Sequence, residues 1–140
     1  MNPLLKPRYI TGSHVVPVQW RADLRAVLIT EAQLKHRVGE LARALTRDYV
    51  GKELTVVALL TGTVMFLADL LRHLAIPLRL DFIGVSSYRD GTRSLDLVYT
   101  KEPRLELTGR DVLVVDDILD TGRTLTNVLG KLGKLGHADP

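Results

Sequence analysis

The stretch Val112-Leu113-Val114-Val115-Asp116-Asp117-Ile118-Leu119-Asp120-Thr121-Gly122-Arg123-Thr124 decides how the rest of the chain reads. Its opening apolar run, rich in β-branched valine, has the composition of a strand buried on both faces. The run stops at two adjacent acids. A short turn carries a third, and then Thr, Gly, Arg and Thr open an apolar-periodic segment from Leu125 to Leu135. The order is strand, acidic corner, hydroxyl-rich loop, helix. In open α/β sheets ligands collect at the carboxyl ends of strands, and a helix N-terminus with free N–H groups attracts anions. Thr121, Gly122, Arg123 and Thr124 are therefore candidates to wrap a phosphate. Asp116 and Asp117 are candidates for hydroxyls or a hydrated Mg²⁺.

Working outward, the same grammar recurs earlier. Leu54-Thr55-Val56-Val57-Ala58-Leu59-Leu60 is a second apolar strand, running into Thr61-Gly62-Thr63 and a helix from Val64 to about Leu74. Thr-Gly-Thr alone is a common βα turn, but its place one βα unit before the acidic corner makes its backbone amides a candidate second anion cradle. Pro77 breaks that helix, and Leu78 to Val85 is a third strand. Residues 86–94, small and polar, read as a mobile excursion containing Ser87 and Tyr88, with Leu95 to Tyr99 as the return strand. Lys101 to Arg110 is a charged connector.

Upstream, residues 1–25 read as an extended, Pro-containing arm and residues 26–140 as the core of a single domain. Ala26-Val27-Leu28-Ile29 is a short strand candidate. Thr30 caps the next helix with Gln33 as its capping-box partner, and Leu34, Val38, Leu41, Ala42 and Leu45 mark its apolar face. Tyr49-Val50-Gly51 ends it. At the other end, Gly130, Gly133 and Gly136 weaken the last helix.

Composition narrows the classes. Hydrophobic residues make up 46% and charged residues 25%, with a formal net charge of +3. The basic residues are dispersed and aromatics are only 5%, unlike the clustered stripe of a nucleic-acid binder. There is no cysteine, hence no disulfide and no thiolate nucleophile. His14, His36, His73 and His137 show no metal-ligand spacing. No apolar run approaches the ~20 residues of a membrane helix, and Met1 to Gln19 lacks the apolar core of a signal peptide. No nucleic acid, no membrane and a cytoplasmic location are the expectations.

The stretch from Val112 to Thr124 resembles the phosphoribosyl-pyrophosphate (PRPP) motif of the type I phosphoribosyltransferases. Asp120 makes it most similar to the 6-oxopurine, hypoxanthine-guanine branch. The resemblance implies transfer of a 5-phosphoribosyl group from PRPP to N9 of hypoxanthine or guanine. It gives Asp120 the role of catalytic base or acid at N7. It gives Thr121, Gly122, Arg123 and Thr124 the 5-phosphate, and Asp116 and Asp117 the ribose hydroxyls and Mg²⁺. Leu60, Thr61 and Gly62 receive pyrophosphate, with a non-proline cis peptide at Leu60–Thr61. Family members often carry Lys where this chain has Thr61, so a cationic contact is absent. Ser87 and Tyr88 match the family's closing loop, and a homo-oligomer, dimer or tetramer, is implied.

The resemblance covers about Val27 to Leu135. In the family, later strands supply a Lys that reads the purine 6-oxo group, an aromatic that stacks on the base and a late acid near the metal. None has a counterpart before Pro140. The expected fold is α/β, a mostly parallel sheet flanked by helices, truncated after the motif helix and leaving an open sheet edge. Two other classes stay open: a PRPP-binding regulator without catalysis, and an inactive truncated relative.

Overall fold

The computed structural model describes residues 16–20, 23, 24, 26–87 and 97–136. Two compact units divide the chain, Met1–Glu40 and Leu41–Pro140. In the first, a short 3₁₀ turn spans Val18–Trp20 and helix α1 begins, Glu31–Asp48 in full. The capping box is present. The Thr30 N–H donates to Gln33 Oε1 at 2.8 Å, and the Gln33 N–H donates to Thr30 Oγ1 at 3.3 Å. Ala26 to Ile29, expected as a strand, is irregular, with Leu28 and Ile29 exposed. Four apolar residues without a pairing neighbour have nowhere to place their backbone hydrogen bonds, so composition alone does not make them a strand. Leu34 is also exposed, whereas Ala42 is buried.

The second unit is an α/β layer structure. Strand β1 spans Leu54–Leu60, α2 Val64–His73, β2 Leu78–Ser87, β3 Leu97–Lys101, β4 Asp111–Val115 and α3 Arg123–Gly136. The described residues form one sheet in the order β3-β2-β1-β4. β1 pairs parallel with β2 and with β4, and β3 returns antiparallel on β2. β1, central and apolar on both faces, is buried from Leu54 to Leu59. Its alternate residues feed two cores. Leu54, Val56 and Ala58 pack with Leu67 of α2, while Val57 and Leu59 pack with Ile83 and with Val128 and Leu132 of α3. The two helices therefore lie on opposite faces.

β4 is less buried than its composition suggested. It is an edge strand among the described residues, and Val112, Leu113 and Val114 are half-buried where burial on both faces was expected. An apolar β-branched run carries no information about how many neighbours a strand has. α3 also continues through its three glycines to Gly136. Val128 and Leu132, one turn apart and buried, hold it against the sheet, and that packing outweighs about 1 kcal/mol per glycine of lost propensity.

A buried carboxylate ties the far side of the sheet together. Asp81 of β2 accepts from the Arg104 N–H at 2.5 Å, the Leu105 N–H at 2.8 Å, the Phe82 N–H at 2.7 Å and Lys101 Nζ at 3.2 Å. Burial alone raises such a carboxyl. The N–H groups of Leu105, Phe82 and Arg104 and the Lys101 ammonium overcome this and hold it below its ordinary value. One residue thereby pins the connector after β3.

Candidate functional site

β1 and β4 are adjacent, parallel and in register from Leu54↔Asp111 to Ala58↔Val115. Their carboxyl ends therefore sit side by side. The loop after β1 leaves toward α2 on one face, and the loop after β4 leaves toward α3 on the other. Two neighbouring strands whose connections diverge open a crevice between them, the topological switch point at which open α/β sheets bind ligands. A cleft of about 480 Å³ occupies that place. Its wall runs continuously from Asp116 to Leu125, with Leu59, Leu60 and Val85 opposite.

Within the cleft, Asp116 is half-buried and Asp117 exposed. The Asp117 N–H donates to Asp116 Oδ1 at 3.0 Å. Desolvation pushes the Asp116 carboxyl above its ordinary value. The Asp117 N–H offsets part of this, and the neighbouring Asp117 carboxylate adds to the rise. The buried Thr63, at the start of α2, donates its hydroxyl to Asp117 Oδ1 at 3.4 Å. Gly62 lies against the same carboxylate: a Cβ there would stand 3.0 Å from Asp117 Cγ and closer still to Oδ2. The Thr-Gly-Thr turn of one βα unit thus seats the second acid of the other.

The loop between the acids and α3 closes through Gly122, whose φ of +77° is a left-handed conformation open mainly to glycine. The Gly122 carbonyl accepts the first helical bond of α3, from the Thr126 N–H at 2.9 Å. The backbone N–H groups at this helix start have no intrahelical acceptors and carry the positive end of the helix dipole. Arg123 is exposed at the first helical position, its carbonyl accepting from Asn127 Nδ2 at 2.8 Å, and among the described residues neither its guanidinium nor the Asp120 carboxylate has a hydrogen-bond or ion-pair partner. Between the acidic pair and this loop, Ile118 and Leu119 are 70% and 72% exposed, an apolar patch inside a polar cleft.

Of the residues named from sequence, Asp116, Asp117, Asp120, Thr121, Gly122, Arg123, Thr124 and Leu60 all line the cleft. The Leu60–Thr61 peptide is cis, as expected. Thr61 is exposed beside the cleft, and Gly62 reaches it through Asp117. Ser87 ends β2, and Tyr88 with the rest of the loop to residue 96 lies outside the described residues, as do His14 and His137. Thr63, Ile118 and Leu119 were not singled out from sequence. Thr63 stood within the Thr-Gly-Thr turn, but only the register of β1 on β4 shows which carboxylate its hydroxyl meets.

Among the described residues no cluster of three or more His, Cys, Asp or Glu side chains could hold a metal by itself. Mg²⁺ does not require one, since it keeps several waters and binds through one or two carboxylates plus substrate phosphates. Asp116 and Asp117, each with one oxygen already accepting a hydrogen bond, suit that arrangement. No helix among the described residues is long and apolar enough to cross a membrane.

The family model described as phosphoribosyl transferase domain matches residues 29–138. The chain is 40% identical over 107 residues to a hypoxanthine-guanine phosphoribosyltransferase of Staphylococcus aureus (strain Mu50 / ATCC 700699), covering 76% of this chain and 60% of that protein. It is 43% identical over 105 residues to the bifunctional protein TilS/HprT of Listeria monocytogenes serotype 4b (strain F2365), covering 74% of this chain and 16% of that protein. A crystal structure of a hypoxanthine phosphoribosyltransferase from Staphylococcus aureus superposes with a TM-score of 0.77 at 37% identity, covering 84% of this chain and 65% of that one. The chain thus spans less than two thirds of the length of these relatives.

Proposed function

We propose, since the chain belongs to the phosphoribosyl transferase family in its type I, hypoxanthine-guanine form, that it transfers the 5-phosphoribosyl group of PRPP to N9 of hypoxanthine or guanine. The products are IMP or GMP and pyrophosphate, a purine-salvage reaction. The observation that carries this reading is the cleft at the β1–β4 switch point, which joins an acidic pair, an anion-seeking helix start and a free third carboxylate. In the reaction the N9–C1 bond forms as the bond from C1 to pyrophosphate breaks.

The roles follow from chemistry and place. The backbone N–H groups from Thr121 to Thr124, the two Thr hydroxyls and the Arg123 guanidinium hold the 5-phosphate. Asp116 and Asp117 accept from the ribose hydroxyls and would hold Mg²⁺. Mg²⁺, when bound, supplies charge neutralisation to the leaving pyrophosphate. The turn Leu60-Thr61-Gly62 takes the pyrophosphate. Ile118 and Leu119 offer an apolar floor to a flat base. Asp120 takes the proton from N7 as N9 attacks. The protein forms no covalent bond to substrate, so its contribution is positioning and electrostatics. Ser87 and Tyr88 cover the site, and the chain works in the cytoplasm as a homo-oligomer.

The test is direct. Purified protein with Mg²⁺, PRPP and hypoxanthine is expected to yield IMP, and Mg²⁺ with PRPP to raise the melting temperature. Asp120→Asn is expected to lower kcat by about 10²- to 10⁴-fold, the usual worth of a positioned base, with PRPP binding nearly unchanged. Heat protection by PRPP without any nucleotide product would replace transfer by binding alone. No protection and no product would reject both.

A further inference from the structure

Val128 and Leu132 hold α3 down on the sheet, but apolar packing is non-directional and resists lifting better than sliding. Gly130 and Gly133, with open space where a Cβ would be, add no grip. Lys131 lies between them and supplies a directed contact. Its Nζ stands 4.2 Å from the centroid of the Tyr99 ring and donates to Glu102 Oε1 at 2.6 Å. Tyr99 belongs to β3 and Glu102 follows its last residue. α3 follows β4, which stands at the other end of the order β3-β2-β1-β4. The Lys131 side chain is only 27% exposed, and a cation over a ring gains more there than at an open surface.

A bulge in β3 makes this seat. The β2–β3 ladder steps from Gly84↔Lys101 to Val85↔Tyr99, which leaves Thr100 as an extra residue. Two apart on a regular strand, Tyr99 and Lys101 would share a face. The bulge puts them on opposite faces. Tyr99 packs with Val57, Ile83 and Val128 on the α3 side. Lys101 turns to the Phe82 side and donates to the Phe82 carbonyl at 2.7 Å and to Asp81 Oδ1 at 3.2 Å. Thr100 Oγ1 fills the space a Cβ at Gly84 would take, so the bulge requires glycine there. β3 is thus fixed through Asp81 on one face and offers an aromatic ring on the other. We propose that Lys131 is a positioning residue: it moors α3 to this fixed strand and so sets where the start of the helix, with Gly122, Arg123 and Thr124, stands beside Asp116 and Asp117. Lys131 follows Arg123 by roughly two helical turns, and a helix carries a sideways displacement along its length. Lys131 itself touches no ligand. The inference rests on the reading of that helix start as the 5-phosphate site.

The test compares Lys131→Met, which keeps the stem and loses the charge, with Lys131→Arg, which keeps both contacts, and with Lys134→Met, an exposed control on the same helix. Ribose 5-phosphate is the probe, titrated by calorimetry beside a thermal melt. Lys131→Met is expected to weaken its binding about tenfold, the scale of a small misplacement of binding groups. Lys131→Arg is expected to restore binding, Lys134→Met to leave it unchanged, and all three to melt near the wild-type temperature, since a partly exposed ion pair contributes little stability. In the ligand-free chain, proton resonances of the Lys131 ε-methylene are expected to be shifted upfield by the Tyr99 ring, and Tyr99→Leu to abolish the shift. Wild-type affinity in Lys131→Met overturns the proposal, as does an equal loss in Lys134→Met, a loss that Lys131→Arg fails to restore, or absence of the upfield shift. The reaction is judged separately. If the wild type forms no IMP while Lys131→Met still weakens ribose 5-phosphate binding, transfer falls and the mooring stands. If the wild type forms IMP and Lys131→Met binds the probe normally, the mooring falls and transfer stands. No binding of the probe by the wild type brings down both.

Discussion

Gly62 shows how much one missing Cβ can matter. Nothing in its local sequence demands glycine, and its φ is not left-handed. The demand comes from Asp117, which belongs to another βα unit and fills the space a side chain would take. Gly62→Ala is expected to push the Asp117 carboxylate off its seat beside Thr63. Binding of Mg²⁺ with PRPP should weaken about tenfold, the effect of losing roughly one charged hydrogen bond. Stability should stay within about 0.5 kcal/mol, because the carboxylate is exposed and can swing away. Isothermal titration beside a thermal melt separates the two effects. Asp116, Asp117, Asp120 and Arg123 were legible from the sequence because charge clustered at the end of an apolar run has few structural uses. Gly62 and Thr63 could be placed at a turn, but their partner could not, since it lies 54 positions away for Thr63.

Among the elements, β2 and its connector depend on Asp81. Replacing it by Asn keeps the volume but turns a donor toward the N–H groups of Arg104 and Leu105. Asp81→Asn is expected to destabilise the fold by about 3 kcal/mol, typical of breaking a buried charged network from one side, measurable by urea unfolding. The pH dependence has a definite sign. A carboxyl lowered in the folded state contributes stability above its ordinary value of 3.8, and that contribution is lost as pH falls through the lower folded value. The wild-type chain should lose this stability in acid below about pH 4, and the Asn variant should show a flatter acid limb. α3 offers the opposite case. Gly130 is exposed in mid-helix with open space where a Cβ would be. Gly130→Ala is expected to add about 1 kcal/mol, read as a raised melting temperature with cleft chemistry unchanged. Its glycines lowered the expected helicity, and the outcome turned on Val128 and Leu132 meeting the sheet.

For the molecule as a whole, the βα grammar is written in the residues alone: two apolar strands, each ending in a small or acidic loop and a helix start, and the carboxylates and hydroxyls at those ends. Apolar periodicity and loop chemistry are local properties, written within about a dozen residues, so they survive without coordinates. It took the folded chain to put α2 and α3 on opposite faces, to leave β4 half-buried with one paired neighbour among the described residues, and to set Gly62 and Thr63 against Asp117 at the resulting switch point. Those facts depend on pairing and handedness between segments far apart in the chain. The same apolar run can be a strand with two neighbours or one, and Ala26–Ile29 shows that it can be no strand at all. Side-chain pattern states which surface must leave water, while the partner that covers it is settled by the packing of the assembled sheet.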